Sequence, residues 1–161
     1  MSETHRQLIE SFYQALQRRD GDAMAVCYHP EATFEDEAFN LKGDEPGDMW
    51  RMLCSRGKDL RVEYRDIKVD GSRGSAHWDA WYTFSATGRH VHNRIDAEFE
   101  FKDGKIFRHR DRFNFWSWTK QALGPAGLLL GWTPLLRNKV RTQARRGLDA
   151  FRAQRPHQQL S

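Results

Sequence analysis

The chain has 161 residues, the length of one domain, since chains divide into separate cores only at greater length. Its hydrophobic fraction of 39% is modest, but 12% aromatic residues, with six Trp and ten Phe, supply a compact core and exclude a disordered chain. The formal net charge of +4 belongs to the C-terminal segment: after Pro134 come seven basic residues (Arg137, Lys139, Arg141, Arg145, Arg146, Arg152, Arg155) against one acid, Asp149, so the domain carries no general nucleic-acid footprint and no nucleic-acid partner is expected.

No apolar run reaches about 18 residues, and Met1 to His5 lack the basic start and apolar centre of a signal peptide, which predicts a soluble, cytoplasmic protein. Cys27 and Cys54 lack CxxC spacing and read as reduced, half-buried helix residues; no metal and no cofactor are expected.

Leu8, Ile9, Phe12, Tyr13 and Leu16 recur at helical spacing and predict a helix over residues 4–19, with Thr4 and Gln7 placed as a capping box. Asp20-Gly21 ends it. A second helix is expected from Asp22 to Tyr28, stopping before Pro30, and a short strand from Ala32 to Asp36. Asp44 is placed to cap a third helix with Pro46 in its first turn and Met49, Trp50, Leu53 and Cys54 as its buried stripe up to Gly57.

From Leu60 the period becomes two. One run reaches Val69 before an Asp70-Gly71 turn; a second alternates through Ala76, Trp78, Ala80, Tyr82 and Phe84, turns near Thr87-Gly88 and continues through Val91, Asn93, Ile95, Ala97, Phe99 and Phe101; Asp103-Gly104 predicts a tight hairpin. On the last strand Phe107, Phe113 and Phe115 mark the buried face, and alternation obliges His109 and Asp111 to share it, while Arg108, Arg110 and Arg112 take the other. Burying either group unpaired would cost about 2–7 kcal/mol. They are therefore expected to bond each other, another side chain or water in a hollow. The element order predicts an α+β domain in which a curved antiparallel sheet closes over N-terminal helices.

This order of elements, with Ala-Thr-Phe-Glu-Asp ending at Asp36 and Asp-Gly-Lys-Ile-Phe-Arg-His-Arg-Asp-Arg-Phe at the last strand, resembles the nuclear transport factor 2-like superfamily, in particular its SnoaL-like and ketosteroid-isomerase-like branch, over about residues 4–116. The resemblance implies a cone with an apolar pocket and a homodimer formed through the outer sheet face. In the steroid isomerases an aspartate closing a run like Thr33-Phe34-Glu35-Asp36 is the general base, which implies that role for Asp36, although Glu37 follows it where those enzymes have proline. Their helix tyrosine aligns with Phe12 and their sheet acid with Ala97, Asp96 falling on the opposite face, so a steroid isomerase is not implied. The SnoaL-like cyclases are closer: Gly104-Lys105-Ile106 leads to His109 and Asp111 in the arrangement in which their aspartate is the acid/base.

Asp111 is accordingly the expected acid/base, His109 its orienting partner and Asp36 a second carboxylate at the pocket mouth. Trp78, Tyr82, Asn93, Phe113 and Phe12 are the expected ligand-lining residues, with Tyr82 or Asn93 as donors to an oxyanion; plain core packing is the competing account of the aromatics. Residues 1–120 form the expected cone domain. Residues 121–161 add an apolar segment containing Leu128, Leu129, Leu130 and Trp132, read as a lid, and a basic amphipathic helix from Leu135 to Ala153 packed on the same domain. Contact of that helix with an anionic membrane surface is the less favoured alternative. The leading functional expectation is cofactor-free isomerisation, cyclisation or hydration of a small apolar, carbonyl-containing molecule; the alternative is a ligand-binding or dimeric assembly module without turnover. Space beside Asp111 favours the first, a self-satisfied His109–Asp111 pair in a packed interior the second.

Overall fold

The computed structural model describes residues 2–130 and 133–159. Gly131 and Trp132 of the expected lid, and the side chains of Leu128 and Leu130, lie outside the described residues. Helices α1 (Ser2–Gln17) and α2 (Gly21–Ala25) are followed by strands β1 (Tyr28–Glu35) and β2 (Asn40–Lys42), helix α3 (Glu45–Arg56), the long strands β3 (Arg61–Asp70), β4 (Arg73–Phe84), β5 (Arg89–Lys102) and β6 (Lys105–Arg112), and helices α4 (Phe115–Leu123), α5 (Pro125–Leu130) and α6 (Pro134–Gln159). The strands form one curved, unclosed sheet in the order β2-β1-β6-β5-β4-β3. The architecture is the expected α+β cone with an added C-terminal helix.

Helix α1 lies in the concave face with Ile9, Phe12, Tyr13 and Leu16 fully buried; each such side chain contributes about 1.5–3 kcal/mol. The helix already runs at Ser2, so Thr4 sits inside its first turn rather than capping it. His5 anchors this end, stacking on Phe101 and donating from Nδ1 to the Gly71 carbonyl at 2.8 Å. Helix α2 stops at Ala25, three residues before the expected end. Tyr28 is therefore the first residue of β1.

All neighbouring strands pair antiparallel except β1 and β6, which run parallel with Phe34 beside His109 and Glu35 beside Arg110. The register shift between Tyr28 and Thr33 accommodates Pro30, which has no N–H to give a ladder. Asp103 and Gly104, at φ +54° and +73°, make the hairpin turn that the Asp-Gly pair predicts. A second shift, between Glu100 and Phe101 on β5, buries Ile106 and moves Phe107 out of the core to pack against His29. The expected inward place of Phe107 is thus taken by Ile106, while His109 and Asp111 remain inside. Strand β6 ends at Arg112 because the Asn114 side chain caps α4, accepting from the Ser117 N–H at 2.9 Å, so Phe115 is helical.

Helix α4 docks on the β4–β5 end through Trp118, which packs against Phe84 and Phe115. Gly127 permits the sharp return of α5, since a Cβ there would lie 2.0 Å from the Thr119 carbonyl oxygen. Helix α6 buries Leu148 and packs on α3. Asp44 does not cap α3 with its side chain; its carboxylate takes Arg152 at 2.8 Å. Arg145 pairs with Glu45, and Arg152 and Arg155 with the buried Asp48. Much of the tail's basicity is thus spent on the acidic start of α3. No helix among the described residues is long and apolar enough to cross a membrane.

Candidate functional site

Alternation along β6 delivers His109 and Asp111 to the interior, their side chains 0% and 3% exposed. His109 Nε2 lies 2.9 Å from Asp111 Oδ1, and its Nδ1 lies 2.8 Å from the Tyr28 hydroxyl, which in turn is 2.8 Å from the Trp50 indole nitrogen. A hydroxyl both donates and accepts, so a neutral imidazole fits this file in one sense. An indole N–H can only donate, so the Tyr28 oxygen accepts it and sends its own proton to His109 Nδ1. The ring proton then sits on Nε2 and is donated to Asp111. Burial pushes the Tyr28 ionisation well above the usual phenol range, opposed by the Trp50 bond and aided by Asp111, so the hydroxyl keeps the proton this arrangement needs. The imidazole stands between aromatic walls, with Phe99 stacked at 4.5 Å and Phe34 and Phe12 edge-on at 4.9 and 5.6 Å.

Asp36 follows β1 directly, and the parallel register that sets Phe34 beside His109 carries it to the level of Asp111. Its Oδ1 accepts the Ala38 and Phe39 N–H groups, both at 2.7 Å, while its own N–H donates to the Phe39 carbonyl at 3.0 Å. Burial pushes Asp36 up to about 7; these two bonds oppose the rise, and Asp111 and Glu37 add to it. Two carboxyl groups that influence each other therefore share one end of the cone, one of them titrating near neutrality.

The expected lining residues divide. Trp78 and Asn93 are buried on the concave face; Tyr82 is half-buried, its oxygen accepting from Trp118 Nε1 at 2.7 Å and its ionisation raised by burial and by Asp36. Phe113 is half-buried after β6. Phe12 is fully buried among Tyr28, Trp50 and His109. Its neighbour Tyr13 presents the hydroxyl on α1. That oxygen and Trp78 Nε1 are fully buried without a hydrogen-bond partner among the described residues, their rings 6.0 Å apart, and Asp111 adds to the burial that pushes Tyr13 far up. Tyr28, Trp50 and Tyr13 were not singled out by sequence as site residues. Trp50 was visible only as part of an apolar stripe, and Tyr28 was hidden at a helix end that the chain does not form.

Of two surface hollows of about 640 and 400 Å³, neither is lined by Asp111 or Asp36. The larger is lined by Arg18, Arg51 and Arg155, which pair with Asp20, Asp22 and Asp48, and by Arg19, which donates to the Gly57 and Lys58 carbonyls; the smaller is lined by charged outer residues of β1, β4, β5 and β6 together with Phe99 and His109.

Among solved structures, the chain resembles an LEH-like epoxide hydrolase from M. tuberculosis (21% identity, covering 80% of this chain and 97% of that one, TM-score 0.62). It also resembles a protein of ketosteroid isomerase-like fold from Catenulispora acidiphila in complex with trimethylamine (14%, 79% and 97%, 0.65), and TerC crystallised with polyporic acid (16%, 71% and 95%, 0.60). At these identities the likenesses show the fold. No protein of curated function matches in sequence. The SnoaL-like domain family matches residues 9–109, from the buried face of α1 to the imidazole of β6. The chain is a member of the SnoaL-like domain family, in the nuclear transport factor 2-like fold.

Proposed function

We propose that the protein performs cofactor-free acid/base chemistry on a small, largely apolar molecule bearing a carbonyl or comparable acceptor oxygen. The observation that carries this reading is the pair of carboxyl groups brought together by the parallel β1–β6 seam, Asp111 on β6 held by the Trp50–Tyr28–His109 file and Asp36 in the turn after β1 pushed up to about 7. Asp111, oriented by His109, takes a proton from the substrate, and Asp36, poised between its two forms at neutral pH, returns one at a second atom. The unpartnered Tyr13 O–H and Trp78 N–H supply donors for the acceptor oxygen on which charge develops. Helices α4 and α5 cover the Tyr82 side of the cone, and the outer sheet face pairs two copies.

The test is solvent-deuterium incorporation, followed by proton NMR, across a panel of apolar ketones and enones. Exchange that Asp111→Asn and Asp36→Asn each reduce about 10²–10⁴-fold, with ligand affinity retained, is the expected result. Ligand binding without exchange in the unaltered protein overturns it and leaves the second reading, a binding module, which the self-satisfied 2.9 Å His109–Asp111 bond favours.

A further inference from the structure

The residues that fix Asp36 are not confined to the span matched by the family. The turn after β1 is held from outside by α6: Arg141 Nε donates to the Glu37 carbonyl at 3.0 Å, and Arg137 pairs with the Glu37 carboxylate at 3.3 Å while its guanidinium covers the Phe115 ring. Glu37 adjoins Asp36, and the next two residues, Ala38 and Phe39, are the ones whose N–H groups bind its Oδ1. A helix about 100 residues later in the chain (|i−j| of 104 for the Arg141 contact) thus grips the middle of a turn closed by the Asp36 N–H to Phe39 carbonyl bond and by two N–H bonds to the Asp36 carboxyl.

We propose that α6 is a working part of the site, with Arg137 and Arg141 as positioning residues that clamp the Asp36–Phe39 turn and so set where the Asp36 carboxyl is held. The inference rests on the reading of Asp36 as the proton donor, and it adds a component that lies beyond residue 109, where the family match ends. Arg141 works through geometry, because a carbonyl engaged by a guanidinium cannot swing the turn outward. Arg137 works through charge. The groups that act on Asp36 are Glu37 beside it, Asp111 from β6, Tyr28 from β1 and Tyr82 from β4, with the α6 arginines reaching it through Glu37. Glu37 and Asp111 both raise its titration, and Arg137 neutralises the first of them.

The clamp makes predictions of opposite sign. Removing the cation in Arg137→Ala leaves Glu37 uncompensated and moves the Asp36 titration up by about half a pH unit; Glu37→Gln removes the anion and moves it down by about as much; Arg137→Lys leaves it near the original value. Arg141→Ala costs the Ala38 and Phe39 amides about tenfold of their hydrogen-exchange protection. Carbon-13 carboxyl NMR and amide exchange on the full chain read both effects without any substrate, and Glu37→Gln and Arg137→Lys are mild enough to keep the fold. Shifts of opposite sign together with lost protection support the clamp. Shifts of the same sign, or an unmoved titration with wild-type protection, overturn it. If the shifts appear while Asp36→Asn leaves proton exchange intact, the clamp stands and the catalytic reading of Asp36 falls; if Asp36→Asn abolishes exchange while the titration stays fixed, the reverse holds.

Discussion

The same three-residue pattern, His-X-Asp, occurs twice in the sheet and faces opposite ways. On β6, His109 and Asp111 point inward; on β4, His77 and Asp79 lie on the outer face, bonded at 2.6 Å. The outer aspartate also receives His92 at 3.1 Å, and His77 reaches Asp96 at 3.0 Å, while His92 stacks on Trp81 and Arg61 covers that ring. Burial alone would raise Asp79, but the bonds from His92 and His77 outweigh it and hold the carboxyl below its usual range. Inside the cone the balance is reversed: Asp36, Tyr13 and Tyr28 are all pushed upward because burial outweighs the bonds available. A histidine two residues before an aspartate is thus a structural clasp on one face and the end of a buried bonding file on the other. The surroundings decide which.

The sharpest way to break this contrast is to remove each imidazole. His109→Ala leaves Tyr28 and Asp111 without their partner in a dry interior and should cost about 3–5 kcal/mol in denaturant unfolding, whereas His77→Ala should cost about 1 kcal/mol or less because water replaces it. Next is a substitution expected to stabilise. Asp36 titrates at about 7 in the folded chain against 3.8 for a free carboxyl, so the native protein loses stability as pH rises between those values. Asp36→Asn should therefore gain about 1–3 kcal/mol near pH 8 and nothing near pH 3.5 in parallel melts. Tyr28→Phe, which orphans both Trp50 and His109 Nδ1, should lose about 1–3 kcal/mol. The smallest effect belongs to the outer face. Asp79 is held low, so its contribution is present above the ordinary carboxyl value and disappears as pH falls through the lowered one; Asp79→Asn should cost about 1 kcal/mol at neutral pH and nothing in acid.

The inward turn of His109 and Asp111 was legible because alternation is a local rule, and three arginines on the opposite face left one phase consistent. The Asp103-Gly104 hairpin was legible for a similar reason, since few residues accept positive φ. What escaped was non-local. Tyr28 was assigned to a helix because Pro30 signals an ending, yet the chain had already straightened, and the irregular pairing that tolerates Pro30 exists only once β6 lies alongside. Phe107 left the core through a bulge that no periodicity announces. The grip of α6 on Glu37 joins residues 104 apart, beyond the reach of any local pattern.

The parallel seam between β1 and β6 also orders events in time. Tyr28 and His109 are 81 positions apart, and the hairpins that lead to β6 can zip locally before this seam closes. Nascent chains should therefore complete the bonding file last, after the meander is in place. A destabilised variant would be expected to lose this seam before the β4–β5 hairpin, so that exchange at β1 amides would rise first while the rest of the sheet stays closed.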